Sequence, residues 1–207
     1  MKHHSSIFII SGLFLIVLSV TVLVAIFFPV IKIEINYLIH RPPKDAQVVR
    51  ASEKSSSSKT IISIDENFGL VIPKIGANAK IIANVDPYNE AVYQRALTRG
   101  IAHALGTSFP NQTGNMFLFS HSSVNFFEAV HYNSVFYLLS KLEKDDDIYI
   151  FYQKEKYHYK VTEKRVARGE EIAYLGNLSQ EKYLTLMTCT PPGTTLKRLL
   201  VIAQAVN

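Results

Sequence analysis

The chain has 207 residues, a formal net charge of +5 and a single cysteine, Cys189. One cysteine excludes an intrachain disulfide and a Cys-x-x-Cys zinc site, so a hydrophobic core has to hold the fold together. The basic residues are not clustered with aromatic residues, which argues against a nucleic-acid partner. The acidic triplet at 145–147 lacks the spacing and the glycine of a calcium loop. We therefore expect no metal and no cofactor.

Residues 5–31 contain no charged side chain and consist largely of Ile, Leu, Val and Phe. A helix of about 20 apolar residues spans a bilayer, whereas the apolar part of a signal peptide covers roughly 7 to 15 residues and ends at a small-x-small cleavage site. The run is too long for such a peptide and lacks such a site. The pattern predicts a short cytoplasmic tail at 1–4 and a single transmembrane anchor at 5–31. The Lys and Arg residues on its two sides do not decide its orientation by the positive-inside rule.

Residues 32–66 are predicted to form a linker, because they combine paired prolines with a run of four serines and lack apolar patterning. From residue 67 to residue 207, short apolar runs alternate with turn residues. Strands are predicted where these runs lie, at 68–76, 79–85, 115–120, 147–153, 157–166, 182–188 and 198–206. Many short strands with one or two short helices indicate a mainly β fold, either a closed barrel or a sandwich.

Two local signals refine this outline. A short helix is predicted at 86–100, because Asp86 is suited to the N-cap, Pro87 to the first helical position and Gly100 to the stop. The Lys-Glu-Lys at 154–156 predicts the tip of a hairpin between two strands.

Cys189 ends an apolar strand, and the sequence Pro-Pro-Gly-Thr at 191–194 follows it as a turn. A hairpin with this turn places the strand of Cys189 antiparallel to the strand of Arg198, with facing Cα atoms about 4.5–5.5 Å apart. A guanidinium beside a thiol favours the thiolate and can also stabilise an oxyanion. The pair therefore indicates a nucleophilic cysteine, although a lone cysteine is also a common buried residue.

A nucleophilic cysteine needs a proton-transfer partner, and the chain has seven histidines. His121 follows the apolar strand at 115–120 and precedes small residues, which places an imidazole at a strand end with space around it. His103 lies in the middle of its segment and is interpreted as a packed histidine, and His158 as a surface or packing residue of a hairpin. We therefore predict that His121 is the general acid and base.

The segment LTLMTCTPPGTTLKRLLV, at 184–201, resembles the signature of the sortases, cysteine transpeptidases that attach proteins to bacterial surfaces. In that family the pattern Thr-Leu-x-Thr-Cys is followed by a short loop and by an arginine that opens the last strand. The positions that match are Thr185, Leu186, Thr188, Cys189 and Arg198. Upstream, 71–81 resembles the family's first barrel strand, and 100–123 resembles the segment that contains the catalytic histidine.

The resemblance implies a closed eight-stranded β-barrel over 67–207 and the chemistry of a cysteine transpeptidase. Cys189 would attack the carbonyl after the threonine of an LPxTG-like sorting signal, carried at the C-terminus of a surface protein, and form a thioester. His121 would protonate the leaving amine, Arg198 would hold the substrate carbonyl or its oxyanion, and Thr188 would contact the substrate. The acceptor would be an amine of a peptidoglycan precursor or a pilin-like lysine. The anchor would hold the barrel on the extracellular face of a bacterial membrane, and no cofactor is implied.

The chain also departs from the family's pattern. His121 is followed by two serines where an arginine or lysine is frequent, and neither an apolar C-terminal tail nor an Asp-Pro-aromatic lid segment before the barrel is evident. The sortase class is therefore left open. A hydrolase of the papain or cell-wall peptidase type is an alternative, but it usually places its cysteine before its histidine. A non-catalytic, membrane-tethered surface-binding module would keep Cys189 as a buried thiol and leave its spacing to Arg198 unexplained.

Overall fold

The computed structural model describes residues 2–40, 61–122, 135–168 and 180–206. The chain divides into two compact units, residues 1–40 and residues 41–207. The first unit is a single helix, α1 (Lys2–His40), which continues past the predicted end of the anchor at residue 31. Within α1, Ile10–Phe28 is long and apolar enough to cross a membrane by its length and composition, with a mean hydropathy of 2.8. The boundaries of the anchor and of the linker stay predictions.

The second unit contains eight strands: β1 (Phe68–Ile72), β2 (Ala77–Val85), β3 (Ile101–Ala104), β4 (Gly114–Phe119), β5 (Asp147–Tyr152), β6 (Glu155–Ala167), β7 (Lys182–Thr190) and β8 (Lys197–Ala205). They form a closed barrel in the spatial order β1-β2-β3-β4-β7-β8-β6-β5. Neighbours are antiparallel except in the pairs β2–β3 and β4–β7, which are parallel. One short helix, α2 (Glu90–Leu97), and two 3₁₀ turns complete its described part. The closed β-barrel predicted from the sequence is confirmed.

Strand β4 shows how the barrel wall separates two apolar layers. Met116 and Leu118 are almost completely buried and lie in the barrel interior. Phe117 and Phe119 point to the other side, where they pack in a cluster with Leu97 of α2. Because side chains alternate between the two faces of a strand, a wall covered by a helix is apolar on both faces. This explains why β4 appears in the sequence as a continuous apolar run.

Strand β3 was not predicted as a separate strand. All of its residues, Ile101–Ala104, are buried. A strand that is buried on both faces lacks the alternation of apolar and polar residues by which strands are recognised. It pairs with β2 on one side and with β4 on the other. It therefore supports β4 from the side opposite to β7.

Helix α2 begins later than predicted. Its N-cap is Asn89, whose side-chain oxygen accepts a hydrogen bond from the N–H of Val92 at 3.2 Å. The side chain of Asp86 accepts instead from the N–H of Tyr88 at 2.9 Å, in the turn before the helix. Asp is suited to both positions, because its carboxylate can bond to the N–H two residues on or to the first turn of a helix. The prediction of Asp86 as the N-cap is wrong.

The hairpin of β5 and β6 also turns earlier than predicted. Gln153 and Lys154 form the turn, with φ of 52° and 67°, and Tyr152 pairs with Glu155 on either side of it. Two central residues at positive φ are typical of the type I′ turn, whose twist matches that of the adjoining strands. Glu155 and Lys156, which belonged to the predicted tip, lie in β6.

Candidate active site

The hairpin of β7 and β8 brings together two of the predicted catalytic residues. Cys189 and Arg198 are paired in register across the two antiparallel strands, as predicted. In the turn that joins the strands, the N–H and the hydroxyl of Thr194 both donate to the carbonyl of Pro191, at 3.1 and 2.8 Å. Gly193 supports this turn with a φ of 79°, which glycine adopts without strain. The register therefore follows from the short turn.

The predicted histidine follows the end of β4, the strand next to the one that carries Cys189. Ser120, the residue before His121, donates its N–H to the carbonyl of Met187 at 3.2 Å, which continues the parallel ladder of β4 and β7. His121 therefore leaves β4 beside the part of β7 that carries Cys189, and it is half-buried. In the barrel order β4-β7-β8, Cys189 and Arg198 lie on neighbouring strands, and His121 follows the end of β4, the strand on the other side of β7.

Cys189 and Arg198 project from the outer face of the barrel wall. Met187 packs against the outward-facing cluster beneath α2, which includes Phe119. Residues two apart on a strand share a face, so Cys189 lies on this outer face as well. Arg198 is directly opposite Cys189 and therefore shares the same face. Cys189 is a free and half-buried cysteine, which distinguishes it from a fully buried core cysteine.

The guanidinium of Arg198 is held at the turn of the same hairpin. Its Nη1 donates to the carbonyl of Thr195 at 3.0 Å and to the carbonyl of Lys197 at 3.3 Å. Both contacts use the same nitrogen of a planar group that carries several N–H donors. The positive charge is thereby held at the hairpin that carries Cys189, while Nε and Nη2 make no hydrogen bond within the part of the chain that the structure describes.

Thr188, which was expected to contact the substrate, has a partner within the protein. Its side chain is 4% exposed, and its hydroxyl donates to the carbonyl of Ser120 at 2.9 Å. The hydroxyl of Ser120 itself is buried and has no hydrogen-bond partner among the described residues. Contact of Thr188 with substrate stays a prediction, whereas its contact with Ser120 is a feature of the fold. No pattern in the sequence indicates this contact, because the two residues are 68 positions apart.

His103 is a packed histidine, as interpreted from the sequence. Its ring is 0% exposed and stacks on Phe109, with ring centroids 4.6 Å apart. Nδ1 accepts from the N–H of Asn84 at 3.3 Å, so Nε2 carries the proton and donates to the carbonyl of Ser108 at 3.1 Å. Burial lowers the pKa of His103 below its usual value. This imidazole is neutral and buried inside the fold, which argues against a role as the general base.

The buried neutral state of His103 predicts a pH dependence of stability. Its pKa is lowered in the folded chain but stays near 6.5 in the unfolded chain, so the unfolded state binds more protons once the pH falls below that value. The contribution of His103 to the free energy of unfolding is therefore fully present above about pH 6.5. It is lost on acidification, by at most about 1.4 kcal/mol per pH unit. We expect thermal melts of the full chain in detergent to fall from pH 7 to pH 5 more steeply than melts of His103→Gln. Parallel slopes would contradict the neutral assignment.

The other histidine of the described barrel, His158, lies away from Cys189. Its ring stacks on Tyr149 with centroids 4.7 Å apart, and its Nε2 lies 2.7 Å from Oδ1 of Asp147. His131 lies outside the described residues. Within the described ranges, no group of three or more His, Cys, Asp and Glu side chains is arranged to hold a metal ion.

A family model described as the Sortase domain matches residues 70–206, from the first barrel strand to the last. The chain belongs to the sortase family. Sortases are cysteine transpeptidases, and the match covers the strands that carry His121, Cys189 and Arg198. No curated protein matches the chain.

Solved sortase structures of several classes are similar to this sortase. Sortase C-1 from Actinomyces oris is 29% identical with a TM-score of 0.58, over 70% of this chain and 74% of that one. A lid mutant of sortase A from Corynebacterium diphtheriae is 26% identical with a TM-score of 0.57, over 69% and 71%. The sortase D5 transpeptidase from Clostridium perfringens is 25% identical with a TM-score of 0.56, over 72% and 84%. Because structures of these different classes match the chain to nearly the same extent, the comparison assigns the chain to the family but does not distinguish between its classes.

Proposed function

We propose that this sortase cleaves an LPxTG-like sorting signal of a surface protein and transfers the protein to an amine. The observation that carries the proposal is the register of β7 and β8, which sets Cys189 against Arg198 on the outer face of the barrel, while His121 follows the end of the adjacent strand β4. A nucleophile, a proton carrier and a cation are the groups that acyl transfer through a thioester needs.

In the first half of the reaction, the thiolate of Cys189 attacks the carbonyl carbon that follows the threonine of the signal. The C–N bond breaks, and His121 gives a proton to the departing amine. The carboxyl part of the surface protein is then held as a thioester on Cys189. In the second half, an acceptor amine attacks that carbonyl, passes a proton to His121 and displaces the thiolate, so the enzyme returns to its starting state.

Arg198 is proposed to hold the carbonyl oxygen as it becomes an oxyanion. Its contacts with the carbonyls of Thr195 and Lys197 hold the guanidinium at the hairpin that carries Cys189 before substrate arrives. A donor that is already in place stabilises developing charge without reorganising during the reaction. The remaining N–H groups of the planar guanidinium are proposed to donate hydrogen bonds to the oxyanion.

The proposed acceptor is an amine of a peptidoglycan precursor or a pilin-like lysine of another surface protein. Such acceptors lie outside the cell, and the apolar stretch Ile10–Phe28 of α1 is proposed to tether the barrel to the extracellular face of the membrane. The half-buried state of Cys189 favours this enzyme over a binding module that keeps its thiol in the core.

The test uses the full chain in detergent micelles with a panel of LPxTG-like peptides, and with triglycine or a lysine peptide as the acceptor. We expect an intact-mass increase on Cys189 that equals the N-terminal part of one peptide, followed by its transfer to the acceptor. Cys189→Ala serves as the control and should give neither species. Hydrolysis with no transfer to any amine would indicate a cysteine hydrolase instead, and the absence of any thioester would contradict the proposal.

The accessibility of the thiol is a separate prediction that needs no substrate. Since Cys189 is half-buried at a strand end, a methanethiosulfonate reagent is expected to label the native chain at one site and to abolish transfer. Labelling is measured by intact mass before and after unfolding in guanidinium. A native chain that resists the reagent, with reaction only after unfolding, would show that Cys189 is a core residue.

A further inference from the structure

The hydroxyl of Thr188 joins the two segments that carry the proposed nucleophile and the proposed base. Thr188 directly precedes Cys189 on β7, and Ser120 directly precedes His121 at the end of β4. The Thr188 hydroxyl donates to the Ser120 carbonyl at 2.9 Å, and the side chain is 4% exposed. This buried hydrogen bond thus connects the residue before His121 to the residue before Cys189.

This bond extends the attachment of the two segments beyond the sheet. Strand β4 ends at Phe119, and residues 120–122 have no regular secondary structure. The N–H of Ser120 still bonds to the Met187 carbonyl at 3.2 Å, and the carbonyl of Ser120 is held by Thr188. Both polar groups of the Ser120 backbone are therefore tied to β7 directly before His121. The end of β4 is fixed at the point where a free strand end would fray.

We infer that Thr188 is a positioning residue, whose hydroxyl keeps His121 in register with Cys189 by holding the Ser120 carbonyl. The inference rests on the proposed function, because it assigns His121 and Cys189 their roles. The inferred role differs from the substrate contact predicted for Thr188, because the hydroxyl already donates to a buried acceptor within the protein. Catalysis depends steeply on such geometry: a displacement of about 1 Å can lower the rate on the order of 100-fold.

The variant that tests this is Thr188→Val, which keeps the branched shape of the side chain but cannot donate to Ser120. We expect kcat for transfer of the sorting-signal peptide to fall by about tenfold or more, with KM within about twofold, because alignment changes and substrate contacts do not. Thr188→Ser restores the donor and is expected to recover most of the turnover.

Thr185→Val is the matched control. Thr185 lies on the same strand, is 1% exposed and also bonds to β4, through its hydroxyl and Oδ1 of Asn115 at 3.0 Å. This variant also loses a buried hydrogen bond from a β7 hydroxyl, here to a side-chain amide oxygen on β4 and not to a backbone carbonyl, and it lies farther from Cys189. We expect its melting temperature to fall about as much as that of Thr188→Val, with kcat close to that of the wild type. If Thr188→Val does not fold, Thr188→Ser is compared with Thr188→Ala, since these differ only by the hydroxyl.

The outcomes separate this inference from the proposed function. A wild-type chain that forms no thioester with any peptide would overturn both. If the wild type is active, a rise in KM at constant kcat in Thr188→Val would assign the hydroxyl to substrate binding and overturn the positioning role. Equal losses of kcat in Thr188→Val and Thr185→Val would overturn it as well, because they would indicate a general loosening of the sheet.

Discussion

Replacing His121 by alanine is expected to lower the turnover of sorting-signal transfer by about 10²- to 10⁴-fold, the usual contribution of a general acid and base. The leaving amine would depart without a proton, and the acceptor amine would attack without a base. The fold should persist, since His121 is half-buried beyond the end of β4 and is not part of the barrel core. The measurement is kcat and KM for peptide transfer, with a thermal melt of each variant in the same detergent.

His158→Ala is the matched control for this prediction. His158 lies on β6, which β7 and β8 separate from β4 in the barrel, and its contacts are with Tyr149 and Asp147. Its loss is expected to change stability and to leave turnover near that of the wild type. His103 is unsuited as a control, because its buried ring is hydrogen-bonded on both nitrogens. Equal losses of turnover in His121→Ala and His158→Ala would show that the base is assigned wrongly.

The pairing of Cys189 with Arg198 could be predicted because it depends on local sequence. Two apolar runs joined by Pro-Pro-Gly-Thr can fold back on each other, and in a hairpin the register is determined by the turn. The position of His121 at a strand end could be predicted for a similar reason, since the apolar run at 115–120 stops directly before it. The candidate site residues were thus predicted from strand ends and turns.

The parallel pairing of β4 with β7 could not be predicted from the residues themselves. Parallel strands are joined by long connections, so no turn sets their register, and Gly114 pairs with Lys182 far along the chain. The hydrogen bond from Thr188 to Ser120 depends on that pairing and was missed with it. β3 was missed for another reason: with all its residues buried, it has no alternation that would mark it as a strand.

Replacing Arg198 by lysine is expected to lower turnover on the order of 100-fold or more, the usual effect of losing one oxyanion donor. The substitution keeps the net charge. However, a lysine ammonium is a compact charge on a flexible stem, whereas the guanidinium holds two turn carbonyls with Nη1 and presents further donors in a fixed plane. An oxyanion forms in both halves of the reaction, so thioester formation and transfer to the amine should both be slowed. Single-turnover intact-mass measurements follow the two steps separately.

Lys197 supplies the control on the same strand. It is paired with Thr190, is exposed, and projects from the face opposite to Arg198. Only its backbone carbonyl contacts the guanidinium, so Lys197→Ala and Lys197→Arg are expected to keep turnover near that of the wild type. Near-normal turnover in Arg198→Lys would mean that the residue supplies charge alone. A collapsed melt of Arg198→Lys beside intact melts of the Lys197 variants would instead make it a structural residue, whose bonds to the carbonyls of Thr195 and Lys197 hold the hairpin in the resting fold.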